Sequence, residues 1–147
     1  MAMSELKIEP DRYEGHCVAD QIRMDALRYK GNEAWMVCQF GEDDEFEIYF
    51  EIENGVVAPS VIDVAKSLMR SIGELDNKVQ ESCAAECKRT GLHPRNFEGM
   101  LAYARVYPNR AALHYFGTSV NTEWDENVSF DGTDWKYLGV SSPNACA

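Results

Sequence analysis

The stretch APSVIDVAKSLMRSIGELDNKVQESCAAECKRTG, residues 58–91, limits what this chain can fold into more than any other. Val61, Val64, Leu68, Ile72, Leu75, Val79 and Cys83 recur at spacings of 3, 4, 4, 3, 4 and 4, which puts all seven on one stripe of an α-helix. Ser60 is the expected N-cap, with Asp63 in the first turn and Pro59 leading in from an extended conformation. At the other end Lys88 and Arg89 face the negative helix terminus, Gly91 follows the last turn, and Pro94 blocks continuation. One unbroken helix from Ser60 to Thr90 is roughly 45 Å long, wider than a small domain. A kink or break is therefore expected at Gly73 or at Asp76–Asn77.

The flanking segments read as strands. Residues 45–53, EFEIYFEIE, alternate strictly: Phe46, Ile48, Phe50 and Ile52 on one face; Glu45, Glu47, Tyr49, Glu51 and Glu53 on the other. Such a run of like charge destabilises a strand unless cross-strand neighbours or a partner offset it. Before it, residues 34–40 form a strand in which Trp35 is expected in the core. Residues 16–29 fit a strand or a short helix, with strand preferred. After the helix, residues 100–107 and 111–117 form a hairpin around Pro108-Asn109-Arg110. Residues 119–124 and 127–130 give a further strand pair or one bulged strand, Asp131-Gly132 turns the chain, and residues 135–140 close the sheet. Residues 1–14 are an irregular lead-in, and residues 141–147 a loose tail. With no repeat and no long linker, the prediction is a single α+β domain. Its mostly antiparallel sheet carries the one long helix across one face.

The net charge of −11 is concentrated. Residues 41–54 hold seven acids and no base, and residues 121–136 hold five acids and one lysine, while residues 55–120 come to +2. A chain so charged repels nucleic acid and anionic membrane and attracts a basic partner. No apolar run reaches the roughly 18 residues of a membrane span, and the polar N-terminus lacks a secretory signal. A cytoplasmic location with reduced thiols is therefore expected for Cys17, Cys38, Cys83, Cys87 and Cys146.

Chemistry-bearing residues are sparse. Cys83 and Cys87 share a helix face, but His93 is the only nearby further donor, and Cys83 continues the apolar stripe, so core packing is preferred over metal. His16 and Cys17 are adjacent and point apart on a strand. His114 can meet Cys38 only if a sheet brings them together. The acidic windows lack the ligand spacing of a calcium loop. There is no glycine-rich phosphate loop, no G-x-S-x-G elbow and no H-E-x-x-H. Neither catalysis nor a cofactor is expected. Trp124 and Trp135 default to the core, as tryptophan usually does, but their setting among carboxylates also suits a surface that recognises a basic protein.

The succession EFEIYFEIE, SIGELDNKVQES, YARVYPNRAALHYFG and VNTEWDENVSFDGTDWKYLGV resembles small bacterial domains found among immunity proteins of polymorphic and secreted toxin systems. The resemblance spans roughly residues 45–140. It implies an α+β scaffold that binds a cognate toxin in the cytoplasm and blocks its active site, with no catalytic residues of its own. The expected partner-binding residues are Asp43, Asp44, Glu45 and Glu47 from the first window, and Glu123, Trp124, Asp125, Glu126, Asp131 and Asp134 from the second. The alternatives are an adaptor or self-assembling scaffold, for which a homodimer is expected, and a small enzyme or metal-binding protein.

Overall fold

The computed structural model describes residues 18–39, 45–91, 99–117 and 123–140. The lead-in, His16 and Cys17, the turn with Asp43 and Asp44, His93 and Pro94, and the tail lie outside the described residues.

Seven strands form one sheet in chain order: β1 (Arg28–Lys30), β2 (Glu33–Gln39), β3 (Glu45–Glu51), β4 (Gly99–Tyr107), β5 (Arg110–Gly117), β6 (Glu123–Phe130) and β7 (Trp135–Val140). Every neighbouring pair is antiparallel except β3–β4. Parallel neighbours need a long crossover, and the helix α1 (Pro59–Thr90) supplies it. The molecule is thus two antiparallel meanders joined by one helical crossover, an α+β fold with a helix on one face of the sheet.

Alternation sorts the strands into two faces. Met36, Phe46, Ile48, Phe50, Leu113 and Tyr115 are buried beneath the helix, which contributes Val61, Leu68, Ile72, Leu75 and Val79. Cys83 and Cys87 are buried on the same stripe. The register Trp35↔Tyr49↔Arg105 and Glu47↔Tyr103↔His114↔Asp125 puts these other side chains on the face away from the helix.

α1 departs from expectation twice. Its N-cap is Ala58, without a side-chain cap, rather than Ser60, because Pro59 occupies the first turn. Proline suits that position: its φ is preset and it has no N–H to satisfy. The helix also runs unbroken for 32 residues, about 48 Å. Polar contacts fix it to the sheet along that length. Trp135 Nε1 donates to Ser67 Oγ at 3.1 Å, Tyr115 Oη donates to Asp76 Oδ1 at 2.5 Å, and Gln80 Nε2 donates to the Gly99 carbonyl at 2.8 Å. Tyr115 and, at 3.2 Å, Gln80 Nε2 both donate to the Asp76 carboxylate, and these bonds satisfy a group that otherwise favours local backbone bonds over a helix interior. Gly91 ends the helix in the left-handed conformation, φ 78°, with its N–H on the Cys87 carbonyl.

Residues 18–27 are not a strand. They form two 3-10 turns, Val18–Gln21 and Met24–Ala26, before β1. Ile22 is fully buried, and Gln21 clamps the end of β2 through two bonds to the Gln39 backbone, of 2.9 and 2.7 Å. β6 is a single strand whose pairing with β7 is bulged between Asn127 and Val128.

Candidate functional site

With α1 covering one face of the sheet, the opposite face is the candidate site. A row of rings crosses it. Trp35 stacks on Tyr49 (centroids 6.4 Å apart), and Tyr49 meets Tyr103 edge-on at 5.3 Å. Tyr103 lies flat against the His114 ring at 4.4 Å, and Phe116 meets His114 edge-on at 5.3 Å. Trp35 therefore leaves the core expected for it: in the fully apolar run AWMVC, alternation turns Ala34, Met36 and Cys38 inward and Trp35 outward.

His114 holds the site's closest polar contacts. Its Nδ1 lies 2.7 Å from Asp125 Oδ1 and its Nε2 lies 2.8 Å from Glu123 Oε1. Two carboxylate acceptors on opposite ring nitrogens are both satisfied only when both nitrogens carry a proton. The expected alternative, a thiol–imidazole pair with Cys38, does not form. Cys38 faces the helix, and burial pushes its thiol up to about 11, away from the reactive thiolate. The two carboxylates also diverge around the imidazole rather than converge on a point. Among the described residues, no group of three or more His, Cys, Asp or Glu side chains has the geometry to hold a metal.

Carboxylates border the rings. Glu45 and Glu47 stand on β3, and Glu33 and Glu51 face each other across β2 and β3. This like-charge pair is relieved by Arg105, whose guanidinium lies 3.7 Å from Glu33 Oε1 and 5.2 Å from the centre of the Tyr49 ring. Tyr49 Oη donates to Glu47 Oε1 at 3.2 Å. The field shows in the phenols. Tyr49 is raised above the ordinary phenol value, first by burial and then by the Glu47 carboxylate; Tyr103 is raised first by burial and then by Asp125.

The structure divides the residues expected to bind a partner. Glu45, Glu47, Glu123 and Asp125 share the open face, the two pairs separated by β4 and β5, roughly 14 Å across three strand spacings. Trp124 and Glu126 do not belong to that surface. The same alternation turns them under the helix, where they are 4% and 1% exposed. There Glu126 accepts from Trp124 Nε1 at 2.7 Å and from Tyr137 Oη at 2.5 Å, and Tyr137 is pushed above the ordinary phenol range by burial and then by this bond. Asp131 is a turn former: its Oδ1 accepts the backbone N–H groups of Thr133 and Asp134, which, Asp134 first, hold its carboxyl below the ordinary value. Asp134 sits in the same turn, at the opposite end of β6 from Glu123. Trp135 is partly buried, tied to Ser67. Sequence reasoning missed His114, Tyr103, Tyr49 and Trp35 as members of the site. The signal was present in the apolar–polar alternation of β5 and β6, which puts His114 opposite Asp125 once the hairpin register is drawn.

No helix among the described residues is long and apolar enough to cross a membrane. No protein-family model, no curated protein and no solved structure matches this chain.

Proposed function

We propose that this chain is a non-enzymatic inhibitor that docks the open face of its sheet on a basic protein partner. In this reading it acts in the cytoplasm as an immunity protein, and the partner is the cognate toxin. The single observation that carries the reading is the row of rings Trp35, Tyr49, Tyr103, His114 and Phe116, bordered by carboxylates, on the sheet face opposite α1. Aromatic side chains supply large contact area at low entropic cost, and they dominate binding energy at protein interfaces. Carboxylates at the border steer a cationic partner and raise its association rate. The toxin as partner is supported by the resemblance of residues 45–140 to immunity domains.

The test is binding to the product of the adjacent open reading frame. Reversing Glu47 and Asp125 together (E47K/D125K) is expected to slow association about tenfold or more at low salt, with the difference shrinking as salt rises. Reversing Glu74 and Glu81, exposed on α1, is expected to leave the rate within twofold, the size of a distant surface charge change. Sensitivity at the helix and none at the sheet would place the docking surface elsewhere.

A further inference from the structure

We propose that the open face pairs with the same face of a second copy of this chain, the basic half of each laid on the acidic half of the other. This inference goes beyond the docking reading and does not depend on it.

The strand register sorts the charges of the open face along the strand direction. In the half nearer the β4–β5 turn, Lys30, Arg110 and Lys136 stand in one row across the strands, and Arg28 and Arg105 in the next. The carboxylates of that half are Glu33, beside Lys30 and Arg105, and Glu51. Directly across the register, Arg28 meets Trp35, and Arg110 and Lys136 both meet Ser129, so these three cations face uncharged neighbours. The other half holds Glu45, Glu47, Glu123 and Asp125 around Tyr103 and His114. Among the described strand residues, every lysine and arginine lies in the first half. Asp131 and Asp134 stand beyond the strand ends, in the β6–β7 turn.

This division has the symmetry of a two-fold dimer. A half-turn about an axis that lies between two such faces and runs perpendicular to the strands reverses the strand direction and keeps the strand order. It lays the basic half of each copy on the acidic half of the other, so the favourable contact is made twice. Glu123 and Asp125 on β6 of one copy come over the β5–β7 strip that carries Arg110 and Lys136 on the other. The ring row runs along the middle of the face and meets its own copy near the axis. Aligned sheets pack in this manner about 10 Å apart.

The face is also large enough. Its seven strands, about 4.8 Å apart and about six residues long, give roughly 600 Å² on each copy, and two copies together exceed the roughly 1,000 Å² of a specific interface. Each copy carries a net charge of −11, so two copies repel at long range and gain only from the local arrangement of charge. The dimer is therefore expected to be weak. A copy within it has its docking face covered, so self-association and docking on a partner exclude each other.

The experiment is analytical ultracentrifugation of the full chain over a range of concentrations, with no partner present. The unaltered chain is expected to dimerise with a Kd of about 1–100 μM. E123K/D125K and R110E/K136E each set like charges against one another in both halves of the interface, and each is expected to weaken the dimer about tenfold or more. An equimolar mixture of the two variants restores opposite charges at both contacts and is expected to form a heterodimer about as tight as the original. The neutral pair E123Q/D125N, which adds no charge to the fold, is expected to weaken the dimer about threefold, and E74K/E81K on the helix to leave it unchanged. Unaltered Tyr115 ring signals in NMR spectra show that each variant is folded. A chain that stays monomeric at every concentration would overturn the proposal, as would a dimer that the helix reversal weakens and the sheet reversals do not. Two reversed variants that are monomeric alone and remain so when mixed would overturn it as well. Each of these results leaves the docking reading standing, because that reading is tested with the partner and this one without.

Discussion

The two faces of the one sheet carry similar aromatic content to opposite ends. Under α1, Tyr115 stacks on Trp124 at 5.7 Å, and each polar tip is absorbed by a buried carboxylate, Asp76 for Tyr115 and Glu126 for Trp124. On the open face, Tyr49, Tyr103 and His114 form a comparable stack, but their carboxylates stand at the border, in reach of solvent. The inner aromatics stabilise the fold because water is excluded around them. The outer ones stay partly exposed, and under the proposed function that area meets the partner. Burial therefore separates the two faces, while residue type does not.

The sharpest way to break this contrast is to truncate neighbours on one strand. Phe50→Ala, at an inward position 1% exposed, is expected to cost about 3–5 kcal/mol in denaturant unfolding. Tyr49→Ala, one residue away and outward, is expected to cost about 1 kcal/mol or less yet to weaken partner binding. Equal costs would mean that the open face is a second core.

Next in size is Gly99→Ala, expected to cost about 1–3 kcal/mol by overpacking. A Cβ there would lie 2.9 Å from the Trp124 ring and 3.1 Å from that of Tyr115, inside the inner stack. His114→Ala tests the outer stack. It leaves the Glu123 and Asp125 carboxylates, both partly solvated, without the imidazole between them, and is expected to cost about 1 kcal/mol. A larger loss would show the row of rings to be structural in the main.

The smallest effect is expected at Asp131, which is exposed in the β6–β7 turn. Its carboxyl is depressed in the fold by the Asp134 and Thr133 N–H bonds. Its stabilisation is thus present above the unfolded carboxyl value and lost as pH falls through the folded one. Asp131→Ala should lower Tm slightly at pH 7 and leave it unchanged near pH 2, as followed by circular dichroism.

How much of this was legible in the sequence follows the range of the interactions. α1 and β3 depend on local periodicity, and EFEIYFEIE has one reading: four apolar side chains cannot all face water. The EWDE segment of β6 has two readings. Turning Trp124 inward also buries Glu126, and a carboxylate is costly in a core unless donors meet it. The donors are Trp124 itself and Tyr137, the latter on another strand, so the sequence alone does not reveal that the cost is met. The unbroken helix was obscured in the same way. Asp76 is tolerated at mid-helix because of Tyr115, 39 residues away. Trp35 was misplaced because AWMVC offers no polar residue to mark its outward side. The acidic windows were legible as charge but not as surface, since one of them divides between the open face, the core and a turn.

Carboxyl footprinting of the chain with and without its bound partner tests docking through the open face. Glu45, Glu47, Glu123 and Asp125 are expected to lose reactivity together in the complex, while Glu74 and Glu81 on the helix keep theirs. Protection of the helix carboxylates with the sheet carboxylates unchanged would contradict docking through that face.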